Sequence, residues 1–409
     1  MKHVELVRAE FPALAPRAGR PATIFFDNAA GTQVPLRSID RIVEYLCEYN
    51  ANSGGVFSTS IRTDAMLAES RAAMADFLGA EDPGEVAFGA NMTTLTQFFA
   101  RAFGRDLVAG DEIVTTRLEH EANVSPWVAL EERGVRVRFA DIHPDDATID
   151  LDSLAEQLND RTRLVAVGLA SNGFGTVNPV RRIAEMAHAA GALCFVDAVH
   201  FGPHGVIDVA DLGCDVLVCS AYKFFGPHVG IIWGRRELLD RVRAYHLRTV
   251  PARIPDKFEV GTLNHEGIAG VHGALDYLDG LAGEGGSRRE RYVRAMTEIS
   301  AYERTLSARL LDVFAGHEHV RVFGITDLER LAERVPTFSV TVAGMTPRQA
   351  AERLASEGIN VWHGNYYALE PMTRIGLEAN GGAVRISLVH YNTMDEIARL
   401  DEALGGMVA

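Results

Sequence analysis

Short apolar runs typical of β-strands alternate with helical patterns over about residues 65 to 265. The strand-like runs lie at 85–89, 111–116, 135–139, 164–169, 193–197, 216–219 and 230–234, and the helical patterns at 64–78, 94–103, 123–133 and 180–190. Strands and helices in this order form a mainly parallel sheet that is covered by helices on both faces. In such a fold, binding sites lie at the carboxyl ends of the strands. We therefore expect an α/β protein whose chemistry lies along one edge of the sheet.

Two of the strand-like runs end in residues that suggest a particular cofactor. Asp197 ends the run that begins at Ala192, and Lys223 follows the run 216–219 within Ser-Ala-Tyr-Lys-Phe-Phe-Gly-Pro. A lysine amine can form a Schiff base with the aldehyde of pyridoxal 5'-phosphate (PLP), and a carboxylate can keep the pyridine nitrogen protonated. The alternative is a solvent-exposed lysine on a surface loop. The flanking apolar residues and the Gly-Pro turn argue against this alternative. The pair therefore predicts a PLP site.

The pattern changes beyond residue 288, after a glycine-rich segment at 280–287. A long amphipathic helix is predicted over 288–315, with shorter strands at 338–342, 359–362 and 384–388 and helices at 347–357 and 394–404. Short strands mixed with helices in this way indicate a smaller α+β domain.

Composition narrows the class of protein. The 409 residues are 47% hydrophobic and carry a formal net charge of −15, which disfavours nucleic acid and anionic membranes as partners. The first ten residues carry a charge every few positions, so we expect no signal peptide. The four cysteines form no Cys-x-x-Cys motif and are expected to be reduced thiols. We therefore expect a cytoplasmic protein that spans no membrane.

Four further positions are compatible with a PLP site, but each has an ordinary alternative. Thr93, at the start of a predicted helix, suits a phosphate group and also suits helix capping. His120 could stack on a flat ring, lie on the surface or, within Glu-His-Glu, bind a metal, although no second ligand cluster supports a metal site. Asn172 could bind the cofactor or simply form a turn, and Arg385 could bind a substrate carboxylate or an internal acid.

Taken together and in this order, several segments resemble the class V aminotransferase family of fold type I PLP enzymes, and most closely its cysteine desulfurase and selenocysteine lyase branch. The resemblance covers nearly the whole chain. The segments that carry it are Phe26-Asp-Asn-Ala-Ala, Glu119-His-Glu-Ala-Asn-Val-Ser-Pro-Trp, Ser220-Ala-Tyr-Lys-Phe-Phe-Gly-Pro, Phe258-Glu-Val-Gly-Thr-Leu-Asn and Val384-Arg-Ile-Ser-Leu-Val-His-Tyr-Asn-Thr.

The resemblance implies an architecture and a set of site residues. It implies a large PLP-binding domain over 31–287 with a mainly parallel seven-stranded sheet, a small α+β domain over 288–409, and an N-terminal segment over 1–30 that packs near the small domain. The implied catalytic residues are Lys223, Asp197 and His120. The other implied cofactor contacts are Met92, Thr93, Asn172, His200, Ser220 and Tyr222, with Thr262 reaching from the second subunit of a homodimer that shares its active sites. The implied substrate contacts are Arg385, Asn28, Ala30, Tyr366, Tyr367 and His363.

The chain departs from the desulfurase pattern at several positions. Tyr367 stands where those enzymes carry the cysteine that becomes a persulfide, and a tyrosine hydroxyl cannot perform thiolate chemistry. Desulfurases have a glutamine at the place of His200 and a histidine at the place of Tyr222, and Ser53-Gly54 replaces an arginine-histidine pair. We therefore expect a desulfurase-like enzyme that forms no protein persulfide.

The reaction that we expect is a β-elimination from an amino acid. Arg385 would hold the substrate carboxylate, and Lys223 would remove the α-proton, so that a β-substituent such as a thiolate leaves. Tyr366, Tyr367 or His363 could then protonate the leaving group. Two alternatives stay open: an aminotransferase or epimerase that uses the same proton removal, and a PLP-binding protein without catalysis.

Overall fold

The described residues form a seven-stranded sheet, a four-stranded sheet and two short two-stranded sheets, with helices packed against the two larger sheets. The computed structural model describes residues 4–15 and 23–407, so that residues 1–3 and 16–22 of the predicted N-terminal segment lie outside the described residues. The strands are β1 Ile24–Phe25, β2 Val86–Gly89, β3 Glu112–Thr116, β4 Arg136–Ala140, β5 Ile142–His143, β6 Thr148–Ile149, β7 Thr162–Gly168, β8 Leu193–Asp197, β9 Val216–Ser220, β10 Gly230–Gly234, β11 Val320–Phe323, β12 Thr337–Val342, β13 Ile359–Asn360, β14 Trp362–Gly364 and β15 Ala383–Ser387. The helices are α1 Val4–Ala9, α2 Leu36–Glu44, α3 Ser58–Leu78, α4 Met92–Phe103, α5 Ser125–Val128, α6 Leu151–Gln157, α7 Val180–Ala189, α8 Val209–Leu212, α9 Arg236–Arg241, α10 His265–Leu281, α11 Arg288–Ala315, α12 Pro347–Ser356, α13 Leu369–Ile375 and α14 Met394–Gly405.

The large sheet has seven strands in the order β2-β10-β9-β8-β7-β3-β4. The run from β9 to β4 is parallel throughout, and β10 is antiparallel to both of its neighbours. The strand predicted at 230–234, after Lys223, is therefore present and runs in the opposite direction to β9. This mainly parallel seven-stranded sheet confirms the predicted fold class.

Both faces of the large sheet are buried, which explains why its central strands are apolar throughout. Along β7 and β8, Val165 and Val196 point into the core on one face, and Ala166 and Phe195 point into the core on the other. Alternate side chains of a strand point to opposite faces, so a strand covered on both sides cannot show a polar stripe. The thiols of Cys194 and Cys219 pack into the first of these cores.

Two predicted elements differ from the structure. The segment 123–133, predicted as one helix, consists of α5 between two short 3₁₀ turns. Pro126 lies at the start of α5, where proline is tolerated, and Gly134 ends the segment with φ of +82°. The predicted strand 359–362 divides into β13, which pairs with β1, and β14, which pairs with β15. Long-range pairing, which local pattern does not reveal, causes this division.

The small sheet is antiparallel in the order β11-β12-β15-β14. Side chains of α11, α12 and α14 form its core together with Phe338, Val384 and Ile386. The N-terminal part contacts this unit directly, because β1 pairs in parallel with β13 and Arg8 forms an ion pair with Glu396 at 2.9 Å. These contacts are consistent with the predicted N-terminal segment, whose boundaries stay a prediction. Over the stretches 4–15 and 23–407, no helix combines the length and the apolar character needed to cross a membrane.

Candidate functional site

A cavity of about 630 Å³ lies at the carboxyl edge of the large sheet. The loops that follow strands β3, β7, β8 and β9 and the N-terminus of α4 supply most of its walls. Five residues that were predicted to follow strand ends line this one cavity: Thr93, His120, Asn172, Asp197 and Lys223. The cavity is also lined by Ala30, Met92, His200, Ser220 and Tyr222.

Lys223 is buried in the turn that follows β9 and lines this cavity. Its amino group donates a hydrogen bond to the main-chain oxygen of Ala29. Burial, reinforced by the positive charge of Arg385 and opposed by Asp197, lowers the pKa of the Lys223 amine to about 7. A large fraction of the amine is therefore neutral near pH 7, which a nucleophile or a base requires.

Asp197 is the last residue of β8 and lines the cavity. Its Oδ1 atom accepts a hydrogen bond of 2.8 Å from the main-chain N–H of Val199, which fixes the carboxyl group. Burial raises the pKa of Asp197 to about 6, while the Val199 N–H and the charge of Lys223 act in the opposite direction. A buried carboxyl group of this kind can pair with a protonated ring nitrogen. The positive charge of the ring would favour the ionised form of the carboxyl group, which burial disfavours.

The N-terminus of α4 forms another wall and is held close to the sheet. Asn91 caps the helix, and the Met92 N–H donates to Ser220 Oγ at 2.9 Å, so that Thr93 faces the cavity in the first helical turn. Gly230 in β10 permits this approach, since a Cβ there would lie 2.4 Å from the main-chain carbon of Asn91. Free N–H groups and the positive end of the helix dipole suit a phosphate group.

His120 presents a neutral imidazole to the cavity. Its Nδ1 atom accepts a hydrogen bond of 2.9 Å from the Ala122 N–H, which leaves the proton of the neutral ring on Nε2. Burial lowers the pKa of His120 to about 3, and the charges of Lys223 and Arg385 contribute to this shift. The ring therefore stays uncharged over the physiological range and can stack on a flat ring without a charge of its own.

Arg385 lies in β15, beside the cavity and not among its lining residues. Its Nη1 atom donates to the main-chain oxygen of Asn172 at 2.9 Å, and its guanidinium lies 4.6 Å from the centre of the Tyr366 ring. Its buried Nε atom has no hydrogen-bond partner in the part of the chain that the structure describes. Burial lowers its pKa to about 10, which leaves the group cationic near pH 7. A buried cation with donors to spare suits a carboxylate.

Asn172 and His200 connect the cavity to the small sheet. Asn172 Nδ2 donates to the main-chain oxygen of Tyr366 at 2.8 Å. The Asn172 Oδ1 atom has no hydrogen-bond partner among residues 4–15 and 23–407. His200 Nε2 lies 3.0 Å from Thr337 Oγ1 in β12. Burial lowers the pKa of His200 well below its usual value, so this ring is also neutral.

Two buried glutamates, one at the site and one behind it, were not predicted from the sequence. Glu119 lines the cavity, and burial raises its pKa to about 7 despite hydrogen bonds from Thr116 and Asn123. Glu303 of α11 contacts His204 at 2.8 Å in a buried pair behind His200. Glu119 could have been noticed as the neighbour of His120 in sequence, but the pairing of Glu303 with His204 depends on contacts 99 positions apart.

Some residues predicted for the site lie elsewhere. Thr262, which was predicted to reach the site of a second subunit, is exposed and lines a separate cavity of about 400 Å³ in its own chain, so its role stays a prediction. The amide of Asn28 is fully engaged by main-chain oxygens of Phe25 and Ser387 and by Asn392 and Tyr391. Because His363 pairs with Val384, whose side chain packs in the core, its side chain lies on the face opposite Arg385, and the geometry does not support it as a proton donor in the cavity.

Tyr366 and Tyr367 form the turn after β14 and point in different directions. The Tyr366 ring is buried beneath Arg385, whereas Tyr367 is 70% exposed with its ring centre 5.6 Å from that of His120. None of the four cysteines, which all belong to the described ranges, lines the main cavity. Those ranges also hold no cluster of three His, Cys, Asp or Glu side chains suited to a metal ion.

The donor set fits PLP in each of its parts. A partly neutral lysine, a buried carboxyl group, a neutral imidazole and a helix N-terminus all face one cavity. These groups match the aldehyde, the ring nitrogen, the ring face and the phosphate of the cofactor, in that order. The individual roles of the residues remain predictions.

Comparisons with known proteins agree with this site. The aminotransferase class-V family profile matches residues 24–400. The chain is 32% identical to the aminotransferase-like protein FGM3 of Gibberella zeae over 98% of this chain and 97% of that protein. It is also 32% identical to a cysteine desulfurase of Pectobacterium atrosepticum, over 97% and 96% of the two chains. The apo structure of a cysteine desulfurase from Thermococcus onnurineus NA1 superposes with a TM-score of 0.88 at 27% identity, over 98% of each chain. The chain therefore belongs to the class-V aminotransferase family and is a PLP-dependent enzyme.

Proposed function

We propose that this PLP-dependent enzyme eliminates a β-substituent, most simply a thiolate, from an amino acid and forms no persulfide on itself. The observation that carries the proposal is that Lys223, Asp197 and His120 face one cavity that no cysteine lines. Burial raises the pKa of the Cys214 thiol to about 12 and raises those of Cys194 and Cys219 as well. These thiols therefore lack the thiolate character that persulfide chemistry requires.

The side chains divide the work of elimination between binding and proton transfer. Arg385 would hold the substrate carboxylate through the donors that remain free beside its bond to Asn172. Lys223 would remove the α-proton, because a buried amine with a pKa of about 7 is an available base near neutral pH. PLP, when bound, supplies the electron sink that makes this proton acidic.

The overall reaction balances with water as the second reactant. A cysteine thioether, R–S–CH₂–CH(NH₃⁺)–COO⁻, and one water give the thiol R–SH, pyruvate and ammonium. The C–S bond breaks with its electron pair on sulfur, and the sulfur takes up one proton. Tyr366 or Tyr367 would supply that proton; burial raises the pKa of Tyr366, which keeps its hydroxyl protonated.

We also propose a cytoplasmic homodimer with shared active sites. Exposed apolar side chains recur along α2 and its continuation at 36, 39, 43 and 46, and more lie at 56, 57 and 61. Such an apolar stripe on a helix that already packs on α10 suits a second protein surface. The four free cysteines favour a reducing compartment. A dimer would also give the exposed Thr262 a phosphate to bind in the second subunit.

The reaction type is tested with the PLP-loaded enzyme and S-methylcysteine. We expect thiol, pyruvate and ammonium in equal amounts, and no persulfide by alkylation and mass spectrometry when free cysteine and a thiol acceptor are supplied. Lys223→Ala, reconstituted with PLP, should lose product formation. Accumulation of pyridoxamine phosphate would instead identify an aminotransferase, and Cα-proton exchange without keto acid would identify an epimerase. If the PLP-loaded protein exchanges no Cα proton at all, it is a binding protein. A persulfide on one of its cysteines would contradict the proposal that the enzyme forms none.

A further inference from the structure

A row of three side chains on the small sheet faces the large domain beside the cavity. Ser339 pairs with Arg385 across β12 and β15, and Arg385 pairs with Trp362 across β15 and β14. Residues directly opposite in antiparallel strands point to the same face, with Cβ atoms about 5 Å apart. Ser339 Oγ donates to the main-chain oxygen of Gly173 at 2.8 Å, and Arg385 donates to that of Asn172. Trp362 therefore extends this row outward, next to the arginine, with 47% of its surface exposed.

A strained turn holds a second aromatic ring near the other side of the cavity. Tyr366 and Tyr367 have φ of +55° and +59°, a backbone region that is unfavourable for a residue other than glycine. Both main-chain oxygens are held by loops of the large domain, Tyr366 by Asn172 Nδ2 at 2.8 Å and Tyr367 by the Glu121 N–H at 2.7 Å. The strain is maintained by these contacts, and one result is that the Tyr367 ring lies beside His120 while staying exposed.

These two exposed rings lie next to residues of the site, although neither ring is itself among the residues that line the cavity. Arg385 would hold the carboxylate and Lys223 would remove the α-proton, so the β-substituent is the part of the substrate that is free to reach side chains beside the site. Trp362 adjoins Arg385, and Tyr367 adjoins His120, which lines the cavity. Of the three tryptophans, Trp127 and Trp233 are buried in the core, and only Trp362 is exposed in this way. Two aromatic rings in contact stabilise each other by more than the burial of their apolar surface accounts for.

We propose that Trp362 and Tyr367 select amino acids whose β-substituent carries an aromatic ring, such as S-benzylcysteine or another aryl thioether. The inference rests on the proposed function, because it names the substrate class of the same site. A small substituent such as S-methyl leaves both rings in water, whereas a benzyl ring covers them. The selection therefore acts on the binding of the side chain and not on proton removal.

The test compares the binding of S-benzylcysteine and S-methylcysteine to the PLP-loaded enzyme. Dissociation constants are read from the initial change in cofactor absorbance after rapid mixing, before product forms. We expect S-benzylcysteine to bind about tenfold more tightly, because its ring adds a contact with each of the two aromatic side chains. Trp362→Ala and Tyr367→Ala should each reduce this ratio severalfold, and Trp362→Phe should keep most of it. Leu328→Ala, which alters a 51% exposed side chain away from the cavity, should leave the ratio unchanged.

The outcomes separate this inference from the proposed reaction. A ratio near one in the unaltered enzyme, or an unchanged ratio in both alanine variants, overturns the aromatic site even if elimination proceeds. Because Tyr367 is 70% exposed, its alanine variant provides the decisive measurement should Trp362→Ala fail to fold. A ratio that depends on both rings supports the aromatic site even if the products are those of an aminotransferase, in which case the elimination proposal fails alone.

Discussion

At the scale of single residues, the environment of Lys223 predicts that the rate of PLP uptake depends on pH. Burial together with Arg385 lowers the pKa of its amine to about 7, so the amine is protonated and unreactive below that pH and neutral above it. The rate at which the cofactor-free protein takes up PLP should therefore rise about tenfold between pH 6 and pH 8, following the neutral fraction. The rate is measured from the absorbance of bound cofactor after rapid mixing.

An ordinary exposed lysine provides the contrast for this pH profile. Its pKa is about 10.4, so its uptake rate would continue to rise steeply up to pH 10. A profile of that shape would show that Lys223 is not the reacting amine or is not buried. Lys257, whose amine donates to the main-chain oxygens of Asp240 and Val242, supplies a control, since Lys257→Met should retain the profile.

At the scale of secondary-structure elements, helix α11 is tied to the loop behind the cavity by one buried pair. His204 Nδ1 and Glu303 Oε2 lie 2.8 Å apart, and both side chains are almost fully buried. Removing one partner of such a pair leaves a buried polar group without its hydrogen bond. We expect Glu303→Ala to lower the free energy of unfolding by about 3 kcal/mol, as measured by urea denaturation.

A conservative change and an exposed ion pair serve as controls for that measurement. Glu303→Gln keeps an acceptor in place and should lose less stability than Glu303→Ala. Glu352→Ala removes the partner of Arg348 in an exposed pair on α12, which should cost under about 1 kcal/mol. Equal losses for Glu303→Ala and Glu352→Ala would contradict the role assigned to the buried pair.

At the scale of the whole molecule, the apolar stripe on α2 predicts self-association. Val43 is 53% exposed in the middle of this stripe, and a charge there would be buried in the dimer without a partner. Val43→Asp should shift the protein from dimer to monomer in analytical ultracentrifugation and weaken its retention of PLP. Val108→Asp, at a 65% exposed position outside the stripe, should leave the dimer intact. A monomeric unaltered protein that retains PLP would refute the shared active site.

The pattern of apolar runs was enough to predict the large sheet and the position of Asp197 and Lys223 at one of its edges. In a parallel sheet the carboxyl ends of the strands meet at one edge, so residues that follow separate apolar runs, such as Asp197 and Lys223, had to converge. Which of the neighbouring residues face the cavity depends instead on how distant segments pair and pack. The pairing of β14 with β15 places Trp362 beside Arg385 and turns His363 away, and a shift of one residue would reverse this. The contact between His204 and Glu303 likewise depends on packing between distant segments, for which local periodicity carries no signal.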